Sequence, residues 1–300
     1  MALTDEKQGQ ITMAIAMVIS GTIGYFVLKS GQSPLNVVFF RCVIGGVGLA
    51  GYCLFKGYLK NLHLSKLQLF LLFAGAITLI FNWVFLFTAY NLTSIGITTI
   101  IYHLQPFFLL FFSMLALKEK FSRSSFCWLA VAFFGLAVIV SPEGSGFDSR
   151  FLLGCASALC AAMLYAITTL MTKKLSGIVR PEVIATSHMA IGAVIFLFLA
   201  DFSKLPEHPE AWRSIFILGA FHTTIMYLML YTAFKKASTS SLAILGFIYP
   251  IVAVVVDYYA FGHLIKPHQV IGAALILVAG ISYNRGVRFP IIGRRQEIKT

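Results

Sequence analysis

Charged side chains are scarce in this sequence. Asp, Glu, Lys and Arg make up only 11% of its 300 residues, and 59% of the residues are apolar. In a typical soluble domain about a quarter of the residues are charged, and the exterior must be polar enough to keep the protein dissolved. The composition therefore excludes a water-soluble enzyme, a nucleic-acid-binding domain and a disordered chain. It predicts a membrane protein whose surface contacts lipid and which has no nucleic-acid partner.

Motifs that mark several other function classes are also missing. The five cysteines lie in apolar stretches without CxxC spacing, so neither a zinc site nor a disulfide framework is indicated. The sequence has no GxxxxGK[ST] loop, so we expect no ATP hydrolysis by the chain itself. It also has no HExxH motif and no cluster of carboxylates. We therefore expect no enzyme activity, no metal and no cofactor.

Long apolar runs are what the sequence has in abundance. A helix needs about 20 residues to cross the hydrocarbon core of a bilayer, and ten runs of about that length can be counted. These predicted spans, numbered 1 to 10 in chain order, cover residues 11–29, 35–55, 67–90, 96–116, 124–141, 151–172, 182–200, 212–234, 239–261 and 267–285. The fold class predicted is an all-α polytopic membrane protein with ten transmembrane helices. No separate soluble catalytic domain fits into the remainder, so any function must lie among the helices.

The few basic residues are unevenly distributed between alternate loops. If the loops alternate in side, 17 Lys and Arg residues lie on the side of both termini and 5 lie on the other. Basic residues are retained on the cytoplasmic side of membrane proteins. This pattern predicts a multi-pass protein of the cell membrane, a bacterial inner membrane, with the N- and C-termini in the cytoplasm.

An internal repeat divides the chain into two halves. A shift of 144 residues places Gly75 on Gly219 and Pro106 on Pro250. We predict a first five-helix repeat at 1–145, a second at 146–286 and a basic cytoplasmic tail at 287–300. Because five is odd, the second repeat enters the membrane upside down. Two inverted halves that rearrange around a central site can expose it to each side in turn, which is typical of secondary transporters.

Particular residues of both halves resemble those of a known family. Span 4 and the residues after it read "IIYHLQPFFLLFFSMLALKEK", with a proline midway along the helix (Pro106) and Glu119 at its end. A late glycine, Gly135, follows in span 5. The second half repeats the pattern from Pro250 in "YPIVAVVVDYYAFGHLIKPHQVIGAALILVAGI". Together with an arginine in span 2, Arg41, these positions resemble the EamA-like family of the drug/metabolite transporter superfamily.

The resemblance covers essentially the whole chain and implies a fold and a function. It implies a ten-helix basket around a central cavity walled by spans 1, 3, 4, 6, 8 and 9. It also implies export or exchange of small metabolites, often amino acids. The sequence departs from the family at His263, which stands where the family usually has a second Glu, and at Ser20-Gly21, which replaces a Trp-Gly pair.

Polar and ionisable groups inside the spans are the candidate site residues, because such groups are costly in hydrocarbon and usually face protein or water. Helical spacing places Pro250 and Asp257 on one stripe of span 9. The hypothesis is a central cavity that binds a small zwitterion or a weakly polar metabolite. The candidate substrate-binding residues are Tyr25, Asn82, Trp83, His103, Gln105, Tyr165, His222, Tyr249 and Asp257.

Each of these groups has a predicted chemistry. An amine would favour Asp257, or the face of Trp83 through cation–π attraction. A carboxylate would favour a protonated His103 or His222, and either histidine could also couple transport to protons.

Structural interpretations stand beside these predictions. The histidines could simply hydrogen-bond a neighbouring helix, and Asp257 could be a solvated residue at the cavity mouth. Arg41 is interpreted as a structural ion-pair or interface residue, since it can snorkel from the end of span 2. Pro106 and Pro250 are interpreted as hinge or structural residues that free helix carbonyls.

The function predicted is secondary active transport of a small polar metabolite, an amino acid or a related compound, by export. The expected partners are a small-molecule substrate, membrane lipid and a coupling proton or other ion, and we expect a monomer. The alternatives from other classes are a membrane-embedded transferase, which would need paired acid and base residues, and a solute channel.

Overall fold

The computed structural model describes residues 4–60, 64–117, 123–140, 148–175, 178–237, 242 and 245–289. Glu119, the first part of span 9 and most of the basic tail lie outside the described residues. Within them the chain is helical and forms no strand. The α-helices are α1 Asp5–Gly21, α2 Ile23–Lys29, α3 Pro34–Phe55, α4 Lys66–Leu92, α5 Ile95–Tyr102, α6 Gln105–Leu117, α7 Arg123–Val140, α8 Ser149–Leu175, α9 Pro181–Leu197, α10 Pro209–Gly219, α11 Met226–Lys236, α12 Ile248–Phe261 and α13 Pro267–Asn284.

The helices account for the predicted membrane spans. Five helical stretches of the described chain are long and apolar enough to cross a membrane, judged by length and composition: Asp5–Lys29, Pro34–Phe55, Lys66–Leu92, Ser149–Leu175 and Pro209–Ala233. Five shorter apolar helices lie at Ile95–Leu109, Phe126–Ile139, Pro181–Leu197, Ile248–Phe261 and Pro267–Tyr283. The predicted all-α polytopic membrane fold is confirmed.

Three predicted spans are interrupted where the sequence predicts continuous helices. Span 1 is divided at Thr22 into α1 and α2. Span 4 is divided at His103 and Leu104, and Pro106 then occupies the first turn of α6, where its missing N–H costs no hydrogen bond. Span 8 is divided by a π-helical segment, Ala220–Ile225. Such segments occur mostly as single turns inside helices, frequently at functional sites.

Helix ends also differ from the predicted boundaries. The first helix begins at Asp5 rather than residue 11, because Thr4 caps it by accepting a hydrogen bond from the backbone N–H of Lys7. Asp5 and Glu6 in its first turn favour the positive end of the helix dipole. These polar residues lie outside the apolar run, so hydropathy alone did not include them.

The two halves of the sequence pack against one another throughout. Helix α4 packs along α8, α7 along α13, α3 along α9, and α1 along α11 and α12. In each pair one helix comes from the first half and the other from the second. The largest buried apolar cluster includes Val38, Ile80, Phe87 and Met189, which come from helices of both halves. The halves therefore share one interior, and a cavity inside it is walled by both.

Candidate functional site

A cavity of about 330 Å³ lies in this shared interior. Its wall draws on α1 to α6 from the first half and on α8, α11 and α12 from the second. Methionine, leucine and aromatic side chains form most of the wall. Its polar members are Ser20, Arg41, Tyr102, His103, Gln105, Tyr165, Tyr227 and Tyr249, together with the indole of Trp83.

The cavity brings together part of the predicted set and leaves out the rest. Among the predicted binding residues, the wall contains Trp83, His103, Gln105, Tyr165 and Tyr249. The other four, which lie outside the wall, are Tyr25, Asn82, His222 and Asp257.

Arg41 lines the cavity although the sequence favoured a purely structural role. Its side chain is only 2% exposed, and its guanidinium carbon lies 3.9 Å from the centroid of the Trp83 ring. Nε donates a hydrogen bond to Thr223 Oγ1 at 2.8 Å, and Nη2 donates to the His222 carbonyl at 3.1 Å. Both acceptors belong to the π-helical segment, so this segment fixes the guanidinium at the cavity.

The break between α5 and α6 places His103 and Gln105 in the wall. His103 Nδ1 lies 2.9 Å from the Thr99 carbonyl oxygen; since a carbonyl only accepts, Nδ1 carries the hydrogen. The imidazole lies 5.4 Å from the Tyr249 ring, centroid to centroid. Gln105 Nε2 donates to Thr169 Oγ1 at 3.4 Å. His103 thus hydrogen-bonds its own helix and still presents its ring to the cavity.

Stacked aromatic rings form another part of the wall. The rings of Tyr102 and Tyr165 stack with their centroids 5.7 Å apart. Asn82 lies behind them and is fully buried. Its Nδ2 donates to Tyr102 Oη at 3.2 Å and to the Ala161 carbonyl at 2.7 Å. Asn82 therefore positions Tyr102 and ties α4 to α8, without being a wall residue.

His222 bridges helices instead of facing the cavity. Its Nε2 lies 2.8 Å from Thr22 Oγ1, at the break between α1 and α2. Its Nδ1 lies 3.2 Å from the carbonyl oxygen of Ile217. These contacts match the structural interpretation, in which the histidine hydrogen-bonds a neighbouring helix.

Asp257 is neither in the cavity wall nor solvated. Its side chain is 2% exposed; Oδ1 accepts from His263 Nδ1 and Oδ2 accepts from the backbone N–H of Gly96, both at 2.9 Å. The stripe of α12 that carries Asp257 faces α5, where Gly96 lies against Val254. The expectation that Asp257 meets an amine in the central cavity is thus at odds with its position, because its carboxylate is engaged between α5 and His263.

Tyr25 and the two predicted hinge prolines also have defined places. Tyr25 lies on α2, with its ring 6.0 Å from that of Phe261 at the end of α12. Pro106 is the second residue of α6 and lines the cavity. Pro250 is the third residue of α12 and is buried. Each proline sits in the first turn of a helix, directly after an interruption or the start of the described helix.

Some wall residues were missed by sequence reasoning. Tyr102 and Tyr227 line the cavity, as do Met13 and Met17. No signal in a single sequence separates these from the many other apolar and aromatic residues of the spans. Arg41 carries a signal in the sequence, because a basic residue inside a span is costly in hydrocarbon and usually faces protein or water.

The described residues contain no group of three or more His, Cys, Asp or Glu side chains that could hold a metal ion. The wall has instead one permanent positive charge, several hydroxyl and amide groups and a large aromatic surface. Such a cavity can hold a small organic molecule by shape and by a few polar contacts.

Comparisons with known proteins agree on the family. The sequence model of the EamA-like transporter family matches residues 7–141 and again residues 152–283. An uncharacterized transporter, YxxF, of Bacillus subtilis (strain 168) is 30% identical over 269 residues, which are 89% of this chain and 86% of that protein. A riboflavin transporter of Rhizobium johnstonii is 27% identical over 181 residues, which are 60% of this chain and 59% of that protein.

A solved structure supports the fold. One crystal structure superimposes with a TM-score of 0.63, covering 97% of this chain and 99% of its own, at 18% sequence identity. At that identity the likeness concerns the fold alone.

Proposed function

We propose, since the chain belongs to the EamA-like transporter family, that it is a secondary active transporter of a small polar metabolite. The observation that carries the proposal is the cavity, whose wall combines residues from both matches to the family model. A binding site shared between two repeats changes its access when the repeats move against each other. A site inside a single rigid half would have no such property.

The proposed mechanism is alternating access. The helix breaks at Thr22 and at His103 lie next to the cavity or in its wall. Interrupted helices can bend at such points while their two ends stay packed. We propose that these breaks, with Pro106 and Pro250 near the start of α6 and α12, are where the halves flex during transport.

The proposed substrate is an amino acid or a related compound, and the proposed direction is export. The cavity volume of about 330 Å³ lies at the lower end of the range for small-molecule sites. Its wall is mostly apolar and aromatic surface that also carries tyrosine hydroxyls and other polar groups, and it fits a metabolite with a substantial apolar body and a polar group. Export is implied by the resemblance to the family and by no residue of the cavity.

Counterflow in proteoliposomes tests this proposal. Purified protein is reconstituted with an unlabelled solute inside, and labelled solute is added outside. The panel contains amino acids, their deaminated analogues, nucleosides and riboflavin, the last because a relative carries that name. We expect saturable uptake that the internal solute stimulates. Flux that does not saturate would favour a channel, and chemical conversion of the solute would favour a transferase; either result contradicts the proposal.

The proposed orientation and coupling need separate measurements. The excess of Lys and Arg on one side supports cytoplasmic termini in the cell membrane. Reporter fusions at residue 300 check this, since a cytoplasmic reporter is expected to be active only if the C-terminus is inside. A proton or other ion gradient, imposed across the proteoliposomes, is expected to drive accumulation. Equal flux with and without any gradient would indicate exchange without ion coupling.

A further inference from the structure

Arg41 brings a permanent positive charge into the middle of the helix bundle. Its side chain is 2% exposed and lies in the cavity wall. An ionised group in this environment is costly unless it is paired or fully hydrogen-bonded. None of the ion pairs formed by the described residues includes Arg41. The guanidinium therefore lies beside the cavity without a counter-ion from the described protein.

The partners of Arg41 are neutral and do not use all of its donors. Nε and Nη2 donate to the Thr223 hydroxyl and the His222 carbonyl, and one face of the guanidinium covers the Trp83 ring. Nη1 donates no hydrogen bond to any of the described residues. A guanidinium held flat in this way keeps N–H groups in the geometry that suits a carboxylate. The π-helical segment and Trp83 thus fix the guanidinium, with its fork of N–H groups, in one orientation.

Acidic side chains are missing from the described part of the wall. The two buried carboxylates of the described helices lie elsewhere. Asp257 is engaged by Gly96 and His263, and Glu182 lies in the first turn of α9. Neither contributes to the cavity. In the described part of the cavity an ammonium group would meet hydroxyls, an amide, aromatic rings and the imidazole of His103 but no carboxylate, and it would be repelled by Arg41.

The rest of the wall suits an uncharged body. The stacked rings of Tyr102 and Tyr165 offer a flat apolar surface, and Met13, Met17 and Leu230 add flexible apolar surface. Methionine side chains adapt to molecules of differing shape. The described wall therefore combines one permanently charged anion-binding group with an uncharged, largely aromatic and apolar remainder.

We infer that the cavity binds an organic monocarboxylate, with the carboxylate on Arg41 and an uncharged, aromatic or apolar body among the tyrosines and methionines. This inference rests on the proposed function, since it takes the cavity to be the transport site. It replaces the expected carboxylate ligands, a protonated His103 or His222, with a group that is charged at every physiological pH. It also ranks the deaminated acid above the corresponding amino acid.

A matched series of probes tests the inference on the unmodified cavity. The probes are 3-phenylpropanoate, 3-phenylpropanamide, 3-phenylpropylamine and phenylalanine, which share one skeleton and differ in charge. Trp83 lies directly under the guanidinium, so its fluorescence reports binding once Trp128 and Trp212, both outside the wall, are replaced by Phe. We expect the carboxylate to bind at least about tenfold tighter than the amide, as for a hydrogen-bonded charge. Phenylalanine should bind more weakly than the carboxylate, and the amine weakest of all.

Substitutions at Arg41 then assign the preference to this residue. R41Q should bring the carboxylate and amide to similar affinities, and R41K should retain part of the preference because it keeps the charge but not the fork. R213Q is the control, since Arg213 is exposed and outside the cavity; its preference should equal that of the parent protein. Because Arg41 also ties α3 to the π-helical segment, R41Q could fail to fold, and the probe series on the unmodified cavity then decides alone.

The outcomes separate this inference from the proposed function. Equal binding of carboxylate and amide, tighter binding of the amine, or no binding of the carboxylate overturns the inference. Counterflow of neutral or cationic solutes without a preference for carboxylates also overturns it, while leaving transport established. Selective carboxylate binding without counterflow supports the inference and contradicts the transport proposal.

Discussion

Gly135 of α7 and Gly272 of α13 pack backbone against backbone. A Cβ placed on Gly135 would lie 2.7 Å from the Gly272 carbonyl oxygen, and a Cβ on Gly272 would lie 2.5 Å from that of Gly135. Each glycine thus occupies the space that a side chain on the other would need. Small residues at helix interfaces allow such close approach in membranes, where apolar side chains gain little by leaving lipid.

Gly272→Ala should separate α7 from α13. The added methyl meets backbone, which cannot rotate away, so we expect a loss of about 1–3 kcal/mol, as for other overpacked interiors. The measurement is the midpoint of thermal unfolding in detergent. Gly51→Ala is the matched control, because a Cβ on Gly51, also within a helix, has no neighbour within 4 Å. An equal shift for both variants would show that helix propensity, not the close contact, decides.

The fold could be predicted because bilayer thickness sets the length of the apolar runs. The break at Thr22 could not be predicted, since apolar residues continue on both sides of it, whereas Pro106 marks the region of the break at His103. A break is set by tertiary contacts, such as the hydrogen bond between Thr22 and His222. These contacts join residues 200 positions apart, and a pattern in one stretch of sequence does not contain them.

The sequence indicates which residue types form the candidate site better than it indicates which face of a helix each of them occupies. Trp83 and His103 lie in the cavity wall. Asp257 does not, because the sequence shows which residues share a stripe but not how the helix is rotated about its axis. Packing of α12 against α5 turns that stripe away from the cavity, while Tyr249 on another face lines it. The place of Arg41 depends on packing as well, because the sequence equally allows its side chain to snorkel toward the end of the span.

Asn82→Ala should weaken both folding and substrate binding. The substitution removes the donor to the Ala161 carbonyl and to the hydroxyl of Tyr102. Because the Ala161 carbonyl lies inside α8 and keeps its hydrogen bond along the helix, the expected loss is that of one hydrogen bond between helices, about 0.5–1.5 kcal/mol. Tyr102 also loses the contact that holds its ring in the wall. Thermal unfolding and probe affinity are measured together. Tyr102→Phe is the comparison, because it should reproduce the affinity change while Asn82 still donates to the Ala161 carbonyl. A larger loss of stability in Tyr102→Phe than in Asn82→Ala would contradict this account.

Gly45→Ala should disturb the cavity through Arg41. A Cβ on Gly45 would collide with the side chain of Thr223, which accepts the hydrogen bond from Arg41 Nε. Displacing Thr223 frees the guanidinium from its fixed orientation. We expect the ratio of carboxylate to amide affinity to fall several-fold. Gly51→Ala, on the same helix, should leave this ratio unchanged, and a fall in both variants would mean that α3 responds to any added methyl.

Asp257→Ala should loosen the contact between α5 and α12. It leaves the N–H of Gly96 and the ring of His263 without their shared acceptor, and the N–H of Gly96 lies in the first turn of α5, where a carboxylate is favoured. We expect a lower unfolding midpoint, mainly because the buried N–H of Gly96 loses its acceptor, which costs about 1–3 kcal/mol; the half-exposed ring of His263 can bond water instead. Asp257→Asn should lose less, because its amide oxygen can still accept from Gly96 and its amide nitrogen can donate to the neutral imidazole.

The same pair of variants decides whether Asp257 reaches the substrate. Its carboxylate lies outside the cavity wall. Asp257→Asn should therefore change the rate of counterflow, because it changes the mobility of α12. It should not change which of the charged and neutral probes binds best. The measurement is the order of affinities for the phenylpropyl series, beside the counterflow rate. If Asp257→Asn selectively weakens the binding of the amine or of phenylalanine, the Asp257 carboxylate contacts the substrate in another conformation of the transport cycle. Its role is then substrate binding, as the sequence predicts. An unchanged order together with a changed rate makes Asp257 a residue that holds α5 to α12.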